Sequence, residues 1–229
     1  MEVLNNSLYF GAFISIASYG TGVYLKNKFK KSIFNPLLIS IVFIIIFLSV
    51  LNVDYESYYE GAKYISYLLT PATVCLAIPL YQQLKLLKNN FKAIMSGIVA
   101  GVFTSLGSIL LLSILFQFTH VQYVTILPKS ITTAIGMVVS QELGGIATIT
   151  VATILITGIF GNVAADFIFK IFKITEPIAK GVALGTASHV VGTSKAMELG
   201  EVEGAMSSLS IAVAGIITVV LAPIFASFL

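Results

Sequence analysis

Long apolar runs recur along this chain and leave little else for it to become. Residues 36–51, 94–116, 145–169 and 205–228 are built mostly from Ile, Leu, Val, Phe, Ala and Gly. Each is near or above the ~18 residues that suggest a membrane-crossing helix. Only 10% of the side chains are charged, against about 25% in soluble domains. The runs predict an all-α polytopic membrane protein. A signal peptide is a poor reading of residues 8–25, which lack a basic start and a clean cleavage site and are followed by more spans.

The lysines predict a topology. All thirteen cations are lysines, and ten fall in three clusters: Lys26, Lys28, Lys30 and Lys31; Lys85, Lys88 and Lys92; and Lys170, Lys173 and Lys180. Short lysine-rich loops stay in the cytoplasm. With the clusters inside, the N-terminus lies outside, and seven spans follow at about 7–25, 33–51, 61–84, 93–116, 145–169, 177–200 and 205–228. Residues 117–144 then start and end outside. Their central apolar stretch of about a dozen residues is too short to cross ~30 Å of hydrocarbon. It is expected to be re-entrant.

The expected organisation is a single membrane domain. Residues 1–32 form an N-terminal span and basic loop, 33–116 a first three-element repeat, 117–144 the re-entrant segment, and 145–229 a second three-element repeat. The triplets run in opposite senses, offset by about 111 residues, with the polar, interrupted member in the middle. Inverted repeats with broken helices near the midplane are an architecture of secondary transporters.

Three interrupted elements carry the polar chemistry. In "YLLTPATVCLAIPLY", residues 67–81, Pro71 and Pro79 argue against a straight helix. Thr70 is expected to cap a half-helix starting at Pro71, its free amides favouring an anion. In "LPKSITTAIGMVVSQELGG", residues 127–145, Lys129, Ser130, Thr132 and Thr133 are donors at the start of a short helix. Snorkelling to outer headgroups is the competing role for Lys129, and a solvated turn is the one for Glu142. In "GTASHVVGTSK", residues 185–195, His189 and Lys195 are six apart and point to different faces of an intact helix. They converge only if the helix breaks between them, and Gly192 is the expected break. Gly181, Gly185, Ser188 and Gly192 also suit close helix packing.

Other chemistry lacks its parts. There is no nucleophile elbow, phosphate loop or second nearby His or Cys for a metal set, so no enzyme, metal site or cofactor is expected. No basic stripe with interleaved aromatics points to nucleic acid. Cys75 is the only cysteine, which excludes an internal disulfide.

The last two polar stretches, with "EPIAKGVALGTASHVVGTSKAMELGEVEGAMSSLS" and "TPATVCLAIPLY", resemble the LrgB/CidB family of bacterial membrane proteins, antiholin- and holin-like, over nearly the whole chain. The resemblance implies location in the bacterial cell membrane. It carries two functional descriptions. One is control of murein hydrolase activity and cell lysis with a small LrgA/CidA-type partner. The other is carriage of small monocarboxylates of the pyruvate, lactate and glycolate class. The residues favour carriage, since a lytic pore needs no convergent donors.

The expected site joins Thr70 and Thr73 to Ser130, Thr132 and Thr133, and to Thr186, Ser188, His189, Thr193 and Ser194. Lys195 supplies the counter-charge, and His189 or Glu142 couples a proton, with sodium the other candidate driving ion. Small-residue faces suggest a homodimer.

Overall fold

A computed structural model describes residues 9–29 and 34–229, and among them every regular element is helical. Lys30, Lys31 and the first residues of the expected first span lie outside the described residues. The chain divides into two compact units, Met1–Cys75 and Leu76–Leu229.

The first unit contains α1 (Phe10–Phe29), α2 (Pro36–Leu51), α3 (Tyr55–Ser66) and α4 (Leu69–Cys75). Asn35 caps α2, its side-chain oxygen accepting from the Leu37 and Leu38 amides, and Pro36 holds the first helical position, where its missing N–H costs nothing. Gly11 lets α1 meet α3: a Cβ there would stand 2.0 Å from the Tyr58 carbonyl oxygen. Ser15 and Tyr58 share a hydrogen bond of 2.8 Å across the same contact.

The proline-rich stretch is in pieces, as its sequence predicts. The helix after Tyr55 is interrupted around Tyr67 and again at Leu76. Proline removes the hydrogen bond to the carbonyl four residues back, so Pro71 and Pro79 orphan the carbonyls of Tyr67 and Cys75. The interruptions fall at those two points. The expected cap at Thr70 does not form. Thr70 is the second residue of α4, and the Ala72 amide already bonds to the Leu68 carbonyl at 2.9 Å. Pro71 is tolerated in the first turn, where its missing N–H has no helical acceptor to lose.

The second unit contains α5 (Ala77–Gln82), α6 (Leu84–Asn89), α7 (Phe91–Leu115), α8 (His120–Ile126), α9 (Thr133–Glu142), α10 (Ala147–Ile171), α11 (Pro177–Leu199) and α12 (Glu201–Ala226). Helix α7 buries Ile94, Ile98, Val102, Leu106 and Ile109, spaced by three and four along one face. They pack with Tyr123, Val124 and Leu127 around α8 and with Ala205, Met206, Ala214 and Ala222 of α12. Helices α11 and α12 meet through small residues. A Cβ on Gly181 would lie 2.5 Å from the Glu203 carbonyl oxygen, and one on Gly185 2.3 Å from that of Ser207. Close backbone approach of this kind drives helix association where the solvent is itself apolar. This part of the small-residue face, read above as available to a second copy, is filled within the chain.

Among the described residues four helical runs are long and apolar enough to cross a membrane: Tyr55–Gln82, Phe91–Leu115, Ala147–Ile171 and Glu201–Ala226. Helices α8 and α9 are too short to do so. Thr125, Ser140 and Thr150 knot α8, α9 and α10 together: Thr150 Oγ1 lies 2.7 Å from both the Thr125 carbonyl oxygen and Ser140 Oγ, and the Ile146 amide donates to Thr125 Oγ1 at 2.9 Å.

Candidate functional site

The site in the second unit begins with a break in α11. Backbone angles leave the helical region at Ser188 (φ −131°, ψ 15°) and His189 (φ 44°, ψ −137°). The expected break at Gly192 is wrong. Gly192 is helical and packs so tightly that a Cβ would lie 2.4 Å from the Leu184 carbonyl oxygen. His189 instead holds a positive φ that costs an L-residue of order 1–3 kcal/mol and persists only where the surroundings over-determine it.

Those surroundings come from α10. The His189 Nε2–H donates to the Ile154 carbonyl oxygen at 2.9 Å. The ring lies on Gly158, where a Cβ would come within 2.6 Å of its Cε1. One turn on, a Cβ at Gly161 would lie 1.7 Å from Ser188 Oγ. Asn162 Nδ2 donates to the Val191 carbonyl oxygen at 2.9 Å, just past the break. On the other side Thr193 Oγ1 bonds the His189 carbonyl oxygen at 3.1 Å and Ser207 Oγ of α12 at 2.7 Å. The break is therefore clamped between α10 and α12, and His189 is bonded to a neighbouring helix.

Beside it lies an open cavity of about 930 Å³ between α7, α10, α11 and the α8–α9 turn. Its lining runs along α7 from Asn90 to Ser108, which is about 27 Å at 1.5 Å per residue. The walls are largely small or apolar: Ala93, Ile94, Gly97, Ala100, Phe160, Ile168, Ala179, Val182 and Ala183. The cavity's polar lining includes Thr104, Ser105, Ser108, Lys129, Ser130, Thr157, Thr186 and Ser188, with Asn90 and Glu176. Ser105 and Ser130 share a hydrogen bond of 2.9 Å, and Lys129 Nζ donates to Ser130 Oγ at 3.2 Å. Ser105 is ten residues from the C-terminal end of α7, about 15 Å along the axis, so this cluster sits near the helix's middle.

Two groups there are unsatisfied. No described carboxylate pairs with Lys129, whose hydrogen bond is to a neutral serine. Thr186, 5% exposed, has a hydroxyl with no hydrogen-bond partner. An ammonium in apolar surroundings needs an opposite charge, and a buried hydroxyl needs a bond. The first need is met by an anion with acceptor oxygens.

The expected site residues divide accordingly. Ser130, Thr186 and Ser188 line the cavity. Thr193 is buried in the clamp, and His189 faces α10. Thr132 precedes α9 with no side-chain cap bond, and Thr133 opens that helix; neither is among the cavity-lining residues. Ser194 and Glu142 are exposed. Thr70 is exposed in the first unit, and the Thr73 side chain lies outside the described structure.

Lys195, the expected counter-charge, already has a partner. It donates to Asp166 Oδ2 of α10 at 2.7 Å, in a pair whose side chains are 13% and 44% exposed. The aspartate absent from its own stretch comes from 29 residues away. Ser105 and the α10 glycines also escaped the sequence reading. Their signal is faint: small residues at three- and four-residue spacing, which also serve plain packing.

Residues 15–228 match the family described as LrgB-like. The chain is 38% identical over 222 residues, 96% of each chain, to an antiholin-like protein LrgB from Bacillus mycoides (strain KBAB4). It is as similar, over the same shares, to the antiholin-like proteins LrgB of Bacillus cereus (strain B4264) and Bacillus anthracis (strain CDC 684 / NRRL 3495). No solved structure matches.

Proposed function

We propose a function from the premise that this chain belongs to the LrgB-like family, its match covering residues 15–228. It is an antiholin-like membrane protein that tempers murein hydrolase activity and lysis together with a small LrgA-type partner. Identity of 38% to the antiholin-like proteins, across 96% of both chains, supports this reading. Its test is deletion and re-expression in the source cell, with and without the partner. Murein hydrolase activity in zymograms should rise on deletion and fall on restoration; activity indifferent to the chain would refute it.

A second reading concerns what the molecule itself does, and one observation favours it: Lys129 lines a cavity at mid-helix depth with no carboxylate to pair it among the described residues. In this reading the protein carries small monocarboxylates of the pyruvate, lactate and glycolate class. Lys129 attracts the carboxylate, while Ser130, Thr186 and Ser188 orient it. Seven spans, an outside N-terminus, a re-entrant α8–α9 and an inverted repeat complete the proposal, with an external face delivering substrate to Lys129. Purified protein in liposomes should take up radiolabelled pyruvate or lactate saturably, without leaking an unrelated dye. Absence of flux across a range of monocarboxylates would end the carrier reading, and dye leakage would favour a pore.

A further inference from the structure

The cavity is far larger than its polar corner. At about 930 Å³ it stands near the top of the ~300–1,000 Å³ range of clefts that bury drug-sized ligands. A three-carbon acid would occupy only the corner at Lys129 and Ser130. The remaining wall is mostly apolar, with Ile94, Ile168, Ile178 and Val182 along it, and its other polar lining residues, Thr104, Ser108 and Thr157, offer hydroxyls but no second cation. At the far end stand Asn90 and the carboxylate of Glu176, which disfavours a second negative group there.

We infer that this cavity takes a monocarboxylate with an apolar tail of several methylenes, carboxylate on Lys129 and tail laid toward Glu176. The inference rests on the anion-site reading above and changes its preferred substrate. Two observations carry it together. Lys129 has no carboxylate partner among the described residues, and the space running from it is mostly apolar. The ligand's head answers the first, and its tail covers the second. Dicarboxylates are rejected because their far end meets an apolar wall or Glu176.

The test is equilibrium binding to the purified full chain in phosphatidylcholine nanodiscs, using radiolabelled acetate, butyrate, hexanoate and octanoate, with hexanol measuring bilayer partition and adipate as the dianion. Saturable affinity should rise about fourfold per methylene, the usual gain from burying a CH₂. Lys129→Gln should weaken hexanoate at least tenfold and leave hexanol unchanged, Lys129→Arg should stay within a few-fold, and adipate should bind at least tenfold more weakly than hexanoate. Affinity flat from acetate to octanoate, adipate equal to hexanoate, or an indifferent Lys129→Gln would each overturn the inference. So would loss of hexanoate binding in phosphatidylglycerol nanodiscs with Lys129-dependent lipid retention, which would make the occupant an anionic lipid. If Lys129→Gln fails to fold, the chain-length and adipate series on the unaltered protein decide. Binding needs no transport: tail-dependent binding without flux sinks only the carrier reading, and pyruvate flux without tail dependence sinks only this inference.

Discussion

Two elements of this protein are interrupted, for different reasons. The stretch from Tyr55 to Gln82 is broken by covalent chemistry, since Pro71 and Pro79 lack the donors a continuous helix needs. Helix α11 is broken by its neighbours. Neither Gly nor Pro stands at Ser188–His189, and His189 holds φ 44° because α10 and α12 leave it no alternative. A proline break persists wherever the segment goes. A packing break exists only in the assembled fold, and here it places Ser188 on the cavity wall.

The comparison is most sharply tested at Gly158. Gly158→Val should clash with the His189 ring, which lies 2.6 Å from where the Cβ would stand. Overpacking of this kind typically costs about 1–3 kcal/mol, so thermal unfolding in detergent should show a clear drop in Tm. An unchanged Tm would mean the clamp does not hold the break.

A sign inversion is expected next, at His189. In an ordinary helix Gly is about 1 kcal/mol worse than Ala. Here His189→Gly should be more stable than His189→Ala by about 1 kcal/mol, because only glycine relieves the positive φ. Both lose the bond to Ile154, so their difference isolates backbone strain. Ala better than Gly in the same melts would show that the break disappears with the ring.

Smaller effects belong to the other element and to the surface pair. Pro79→Ala should add an amide at residue 79 that bonds the Cys75 carbonyl and exchanges slowly, with stability changing by about 1 kcal/mol or less; fast exchange of that new amide would mean that something besides the proline breaks the helix. Asp166→Asn removes a partly exposed ion pair and should cost about 0–1 kcal/mol. A larger loss in melts would give Lys195 a role beyond that pair.

The sequence made much of this legible. The apolar runs announce the helical class, and Pro71 and Pro79 their two breaks, because each is a local rule acting within one or two turns. What stayed hidden depends on distant partners. Gly192 looked like the break of α11, yet its missing side chain serves close packing on Leu184. Lys195 looked unpaired because Asp166 lies on another helix. Lys129 was legible only as a donor or a snorkelling lysine, because nothing nearby in sequence tells that Ser130 is bonded to the middle of α7. Thr70 was expected to cap because proline often opens a helix, but here the helix begins earlier.

The claim on which the functional account turns is that Lys129, and not Lys195, is the cation an anion meets. Uptake of radiolabelled monocarboxylate into liposomes should be compared for the parent chain, Lys129→Gln and Lys195→Gln. The account predicts at least a tenfold loss for Lys129→Gln and a change within about twofold for Lys195→Gln, the loss of a paired charged contact being worth about 1.4 kcal/mol or more per tenfold. Full uptake by Lys129→Gln, or an equal loss in both variants, would contradict it.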